Sequence, residues 1–382
     1  MPSEDLSFLS LFPATREQTL ESRKRTSVQW GRDLTLQQYL QREDQLDVAE
    51  HAQDGKFTTW VLSPRYDPTT LDFKCSCETY RRKSLVKRQG SDTPEEVFGY
   101  GIASVFTPEK NRGKGYARRM VNLLHWVIAP HSTLPPFPSR WGGAPPERPG
   151  CNNAQFSVLY SDIGPSYYAS TGPSEDSEGW IVCEPYSTIW DVPERANNFR
   201  SPESGALVKW LTEKDCEDIL DHDADLMRAF FPSDSKPISF TFLPNEGVAL
   251  FLVRRTLFFS PGQPYADMVP NKWGVQLLVE GQLHFATWTF DVRPPPATLI
   301  ATRIRATKET FPRIILCMLL AAQENDMKRI EFWNLPKALE EIAKELGGET
   351  EERDEHLSAY KWYGPEKNED IYWAHNEKFA WC

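Results

Sequence analysis

The stretch from residue 98 to residue 120 constrains the fold more than any other. It reads as an apolar strand over 98–107, then Pro108-Glu-Lys-Asn, then Arg112-Gly-Lys-Gly-Tyr-Ala117 opening a helix that runs on to residue 127. The first turn of a helix carries backbone N–H groups without intrahelical partners and the positive end of the helix dipole, so it holds anions. Gly113 and Gly115 let the backbone approach a phosphate closely, and Arg112 and Lys114 add charge. Strand, glycine turn and helix in this order predict a pyrophosphate cradle. The spacing is neither GxGxxG nor GxxxxGK(S/T), which disfavours dinucleotides and nucleoside triphosphates. A solvated basic helix start carries the same residues, so the loop alone does not name the ligand.

Within its context, Arg112-x-x-Gly115-x-Ala117 after a strand and a proline resembles the acyl-coenzyme A loop of the GNAT superfamily of N-acetyltransferases. The element order around it agrees. Residues 1–56 read as two helices broken at Trp30-Gly-Arg-Asp, with a capping box at Thr15-Arg-Glu-Gln. Strands follow at 57–62, 72–80 and 98–107, then the helix, a Pro- and Gly-rich loop over 130–153, a strand at 154–161 and a short helix at 166–170. The basic run from Arg81 to Arg88 reads as solvated surface near a loop.

A chain of 382 residues exceeds one ordinary domain. Residues 173–206 read as edge strands and a linker. Beyond them come a helix from 210 to 231, strands at 239–243, 248–254, 274–279, 284–292 and 298–306, a helix at 309–325, a strand at 329–333 and a helix at 336–347. Two tail strands follow at 357–362 and 371–382. This repeats the first half without its glycine loop. The expectation is a mixed α/β chain: a cofactor-binding domain over 1–195 with a splayed central sheet, and a degenerate second copy over 196–382.

A net charge of −11 argues against nucleic-acid binding, which needs surplus Lys and Arg. No apolar run reaches the roughly 18–20 residues of a membrane span, and the N-terminal residues resemble neither a signal nor a transit peptide, so a cytoplasmic location is expected. Seven Cys without zinc-like spacing, Cys75-Ser-Cys77 included, predict buried free thiols and no metal.

Six blocks give a closer likeness: Phe12-Pro-Ala-Thr with Trp30-Gly-Arg, Thr58-Thr-Trp-Val-Leu62, Cys75-Ser-Cys-Glu-Thr79, Gly101-Ile-Ala-Ser-Val-Phe106, Arg112-Gly-Lys-Gly-Tyr-Ala117, and Ser157-Val-Leu-Tyr-Ser-Asp-Ile-Gly164. With these the chain resembles the fungal lysine N-acetyltransferases, which acetylate the side-chain amine of free L-lysine in lysine catabolism. The resemblance spans most of residues 10–172 and is weaker after 200. It implies acetyl-coenzyme A as co-substrate, held by the backbone of Ser104, Val105 and Phe106 and by Arg112, Gly113, Lys114, Gly115, Tyr116 and Ala117. It implies free L-lysine as acceptor; a protein lysine or a polyamine is the alternative acceptor, and a non-catalytic acyl-coenzyme A-binding regulator the alternative class. Oligomeric state stays open.

Thioester aminolysis needs an acid for the leaving thiolate and a base for an ammonium whose pKa is about 10.4. Tyr168 matches the family position of the acid, with Tyr167 its neighbour. The strand at 98–107 has no Asp or Glu, so the base must come from elsewhere. Asp162 is the first candidate, though it could equally cap the short helix. Glu78 is the second. The third is the terminal carboxylate of Cys382, on a tail that is aromatic almost to its end, and related two-copy acetyltransferases place such a carboxylate in the acceptor pocket.

Overall fold

The structure, a computed structural model, describes residues 5–193, 207–231, 236–257, 265, 267–279 and 281–381. Its two mixed sheets are built on one plan. In the first, β1 (Leu9–Pro13), β2 (Phe57–Pro64), β3 (Ser76–Arg88) and β4 (Glu95–Phe106) run antiparallel, and β4 lies parallel to β5 (Ala154–Ser161). Helices α1 (Arg16–Trp30) and α2 (Leu36–Asp47) precede β2, α3 (Tyr116–Ile128) crosses from β4 to β5, and α4 (Ser166–Ala169) follows β5. A parallel neighbour requires such a crossover.

After β6 (Ile181–Val182) the chain leaves this sheet. β7 (Tyr186–Asp191) enters the second one, whose other strands are β8 (Leu207–Leu211), β10 (Gly274–Val279), β11 (Gln282–Asp291), β12 (Thr298–Arg305), β13 (Arg329–Trp333) and β14 (Glu349–Glu352). Here β8, β10, β11 and β12 are antiparallel, β12 is parallel to β13, and α7 (Phe311–Glu324) makes the crossover. β7 pairs with β13, and reciprocally β15 (Leu357–Trp362), which follows α8 (Lys337–Glu345) and β14, returns to pair with β5. Each copy therefore gives the other a strand. The sheets do not divide at residue 195: β7 lies in the second and β15 in the first. So do β9 (Ile238–Phe242), paired with β3, and β16 (Ile371–Trp373), paired with β9.

The expected helices and strands recur with corrections: β8 runs to Leu211, into the stretch expected as a helix from 210, β14 was not expected, and four further differences follow. Leu9–Pro13 is a strand within the stretch read as helical; Leu9 and Leu11 point into the core, and five residues give too little periodicity to reveal it. Residues 81–88 lie inside β3, and Arg82 is buried against the carbonyls of Leu243, Phe379 and Ala380 rather than solvated. Val248–Thr256, read as a strand from its Val-Ala-Leu-Phe-Leu-Val run, is α6; continuous apolar runs carry no period to separate the two. The last tail strand stops at Trp373. The remaining helix is α5 (Glu213–Ala229).

Two apolar layers flank the first sheet. On one face α3 packs over Leu9, Leu11, Trp60, Cys77, Ile102 and Leu159 together with Tyr168. On the other, Tyr80, Phe156 and Val158 meet α2, α6 and the tail. Successive side chains of a strand alternate between these layers, so Cys77 faces α3 and Glu78 faces α1, α2 and the tail.

Candidate active site

Strand β4 is broken where the site forms. Ser76 faces Phe106 and Glu78 faces Ala103, so Cys77 alone spans Ser104 and Val105. This is a β-bulge, and Ser104 sits at φ +52°, in the left-handed region that non-glycine residues rarely adopt. Pairing of β4 with β5 ends at Ile102 and Leu159. Beyond that point the strands splay, and the β5-facing backbone groups of residues 103–106 have no β5 partner. β12 is bulged at the same place, with Thr302 unmatched between Thr287 and Trp288.

The glycine loop follows directly. Gly113 has φ +75° and Gly115 has φ +79°, both conformations in which a side chain is strained. Gly115 is the N-cap of α3 and offers no side chain to cap it, and Arg119 N–H is the first to reach back to Gly115. The amides of Tyr116, Ala117 and Arg118 precede it, so they take no partner from the helix. Arg112, Gly113 and Lys114 are exposed, and a Cβ at Gly113 would meet nothing within 4 Å. Open amides, two basic side chains and free space above the loop fit a diphosphate, and the splayed backbone beside it fits an extended amide-bearing arm. Phe106 is buried and packs edge-on to Trp30 at 5.9 Å.

Tyr168 lies on the α3 face of the wedge. It is 9% exposed, packs edge-on to Trp180 (6.4 Å) and Tyr167 (5.1 Å), and no described residue hydrogen-bonds its hydroxyl. Burial, then Tyr167, Cys77 and Asp162, raise its pKa, so the phenol keeps its proton. Behind it a buried chain of bonds fixes the helix. His125 stacks on Trp180 at 4.2 Å, and its Nε2 bonds the Thr171 carbonyl at 2.8 Å, so Nε2 carries the proton and Nδ1 accepts from the Tyr363 hydroxyl, also at 2.8 Å. Tyr363 in turn meets Ser157, which accepts from Trp180 Nε1. Burial depresses His125 to about 3, so the imidazole is neutral.

Glu78 lies on the opposite face. It is 9% exposed, and its carboxyl is pushed up to about 7 by burial and by Glu43, against the opposing effects of Arg23 and a hydrogen bond with Ser104, the bulge residue. Arg23 is held by Asp47 through two bonds of 2.8 and 2.6 Å. Asp162 sits differently. Burial raises its pKa, but the His356 ring at 2.9 Å and the His356 N–H, also at 2.9 Å, outweigh that and hold it low. It is half exposed, and the N-cap of α4 is Pro165, so Asp162 does not cap the helix. Cys382 lies outside the described residues.

The tail reaches this face. Arg82, two alternate positions along β3 from Glu78, donates to the carbonyls of Phe379 and Ala380. A buried ion network anchors the segment before it. Arg303 of β12 bonds Asp223 at 2.7 Å and Glu377, and Glu377 also accepts the Ile304 N–H at 2.8 Å. Asn334, just after β13, bonds the Asn376 carbonyl at 2.6 Å. The tail thus occupies the end of the β12/β13 pair, the place in the second copy that corresponds to the wedge in the first. Among the described residues no group of three or more His, Cys, Asp or Glu is arranged to hold a metal, and no helix is long and apolar enough to cross a membrane.

A bulged fourth strand splayed from a parallel fifth, followed by an open helix start, defines the GNAT type of N-acetyltransferase. A probable N-acyltransferase of Enterococcus faecalis shares the fold at TM-score 0.55 and 9% identity, covering 93% of this chain and 72% of that one. A GCN5-related N-acetyltransferase of Anabaena variabilis does so at 0.53 and 10%, over 93% and 73%. The family described as LYC1 GNAT-like C-terminal domain matches residues 190–382, just over half of the sequence, and the chain belongs to that family of GNAT-type acetyltransferases. A lysine acetyltransferase of Yarrowia lipolytica is 25% identical over 182 residues, 46% of this chain and only 41% of that relative's length. An uncharacterized protein of Saccharomyces cerevisiae is 25% identical over 395 aligned positions, 92% of each chain.

Two groups escaped the sequence reading: Ser104 as a bulge and the Arg23–Glu43–Asp47 cluster beneath Glu78. A Gln- and Glu-rich α2 was the only sign of the second, and nothing in local sequence pairs α2 with β3.

Proposed function

We propose that this protein transfers an acetyl group from acetyl-coenzyme A to the side-chain amine of free L-lysine. The observation that carries the mechanism is the pairing of Glu78 and Tyr168 on opposite faces of one splayed wedge, the first titrating near 7 and the second protonated across the physiological range. The amine class follows the likeness to the Yarrowia lipolytica enzyme, and a role in lysine breakdown would follow from it.

Acetyl-coenzyme A supplies the activated acyl group. The amides of residues 116–118 with Arg112 and Lys114 bind its diphosphate, and the free backbone of residues 103–106 lines up its arm. Glu78, ionised above about pH 7, takes one proton from the substrate ammonium. The freed amine attacks, a C–N bond forms, the C–S bond breaks, and Tyr168 gives its proton to the departing sulfur. Asp162 is hydrogen-bonded to His356 and held low, which suits positioning of His356 better than proton transfer. The nitrogen sheds its second proton as the C–S bond breaks and that proton restores Tyr168, while the proton on Glu78 leaves to solvent, so one proton is released overall and the site returns to its starting state.

The test is thiol release from acetyl-coenzyme A by the purified protein with L-lysine, cadaverine, spermidine and a lysine-bearing peptide. Release with L-lysine at least tenfold above the others in kcat/KM is expected; release only with peptide or polyamine overturns the acceptor.

A further inference from the structure

A closed ring of hydrogen bonds begins and ends at the carbonyl of Tyr168. Trp180 N–H donates to that carbonyl at 3.1 Å, and Trp180 Nε1 donates to Ser157 Oγ at 2.9 Å. Ser157 meets the Tyr363 hydroxyl at 3.0 Å, Tyr363 meets His125 Nδ1 at 2.8 Å, and His125 Nε2 meets the Thr171 carbonyl at 2.8 Å. The Thr171 hydroxyl then returns to the Tyr168 carbonyl, also at 2.8 Å. Ser157, His125, Thr171 and Trp180 are fully buried, and Tyr363 is 3% exposed. Every proton in the ring has one place. A carbonyl only accepts, so His125 Nε2 carries the hydrogen and Nδ1 accepts from Tyr363. The Tyr363 oxygen then accepts from Ser157, which in turn accepts from Trp180.

The ring supplies what Tyr168 lacks locally. Its helix α4, Ser166–Ala169, is a single turn, too short to fix a side chain by helix formation alone. A fully paired buried polar ring selects one arrangement of the groups that make it. Trp180 links that arrangement to the phenol, packing edge-on to it at 6.4 Å and 85° while stacking on His125 at 4.2 Å. The ring uses the main chain of Tyr168 and leaves its hydroxyl available to the departing sulfur. Its members come from α3, from β5, from the segment after α4, and from Tyr363, one residue past β15. Tyr363 arrives with the strand that the second half contributes to the first sheet, and its N–H is fixed to the Gln155 carbonyl at 3.0 Å.

We infer that His125, Ser157, Trp180 and Tyr363 are positioning residues for Tyr168, the proposed acid, and that the second half of the chain completes the first half's active site through Tyr363. This rests on the reading of Tyr168 as the proton donor, and it deepens that reading by naming what aims the phenol. Tyr363→Phe keeps the aromatic ring but leaves His125 Nδ1 without its donor and Ser157 without its acceptor. Tyr168 then loses its fixed orientation, and a misplacement on the order of 1 Å costs about 100-fold in rate.

The experiment uses the full-length protein and the variants Tyr363→Phe and Ser157→Ala, which break the ring at different atoms, each alone and combined with Tyr168→Phe. With the amine that gives the fastest thiol release, each single variant should lower kcat about 10- to 100-fold and leave the KM values for acetyl-coenzyme A and the amine within about threefold. In the Tyr168→Phe background neither should lower kcat further, because the group they aim is gone. General damage to the fold would multiply instead. Losses that multiply in the double variants, a coenzyme KM that rises in step with the loss, or an unchanged kcat overturn the inference. Undiminished turnover by Tyr168→Phe alone overturns the acid assignment, and the inference with it. A second readout needs no turnover. Hydrogen exchange of the Thr171 and Trp180 amides should quicken about tenfold in Tyr363→Phe while α3 stays protected; unchanged exchange at both amides overturns the ring as a positioning device.

Discussion

Glu78→Gln separates a catalytic carboxylate from a structural one. The carboxyl is held at about 7 against an ordinary 4.5, so the fold disfavours its ionised form by on the order of 3 kcal/mol. Between those two values the folded state binds the extra proton, and stability falls as pH rises from 4.5 through 7. Gln keeps the shape and can still accept from Ser104, yet never ionises. The variant should therefore be more stable than the parent at pH 8, by up to about 3 kcal/mol, with the gain vanishing near pH 4.5. Urea unfolding at the two pH values measures this. The same substitution should lower kcat by about 100- to 10,000-fold and remove the rise of kcat/KM centred near pH 7. A variant that loses stability at pH 8 and keeps the pH profile would refute both halves of the reasoning.

Tyr168→Phe should lower kcat by about 100-fold or more while leaving the affinity for acetyl-coenzyme A, measured by calorimetry, within about threefold. Gly115→Asp places a carboxylate and a strained φ at the open start of α3; the coenzyme KM should rise at least about tenfold, and an unchanged KM would mean the diphosphate binds elsewhere. Residues 1–195 expressed alone should not fold cooperatively, because β15 and β9 complete their sheet; a sharp thermal transition by circular dichroism in that fragment would contradict the exchange of strands. 

Much of this architecture was readable because its signals are local. Glycines at 113 and 115, a strand before them and an amphipathic helix after them are adjacent in sequence and specify the cradle together. The capping box of Thr15 and Gln18 forms as read, and β12, α7 and β13 repeat the pattern of β4, α3 and β5. What stayed hidden depends on distant partners. The exchange of β7 and β15 leaves no local mark, since each strand has the same alternation whichever sheet receives it. Ordering Asp162 ahead of Glu78 followed from proximity to the strand end; the hydrogen bonds that His356, 194 residues away, makes to Asp162 are why we propose Glu78 ahead of it. Glu78 looks like one polar residue in a strand until Glu43 and Arg23 are brought beneath it. Lys378 could not be distinguished from an ordinary surface Lys without knowing that it lies over Trp333 and Trp381.

The central claim is that one wedge, between β4 and β5, delivers an acetyl group to the lysine side chain. Its most direct measurement is mass spectrometry and proton NMR of the product formed by the full-length protein from acetyl-coenzyme A and L-lysine. The account predicts N6-acetyl-lysine with the wild type and at least about tenfold less with Gly115→Asp at acetyl-coenzyme A well below the wild-type KM. Acetylation of the α-amine, no acetylated lysine at all, or a fully active Gly115→Asp would contradict it.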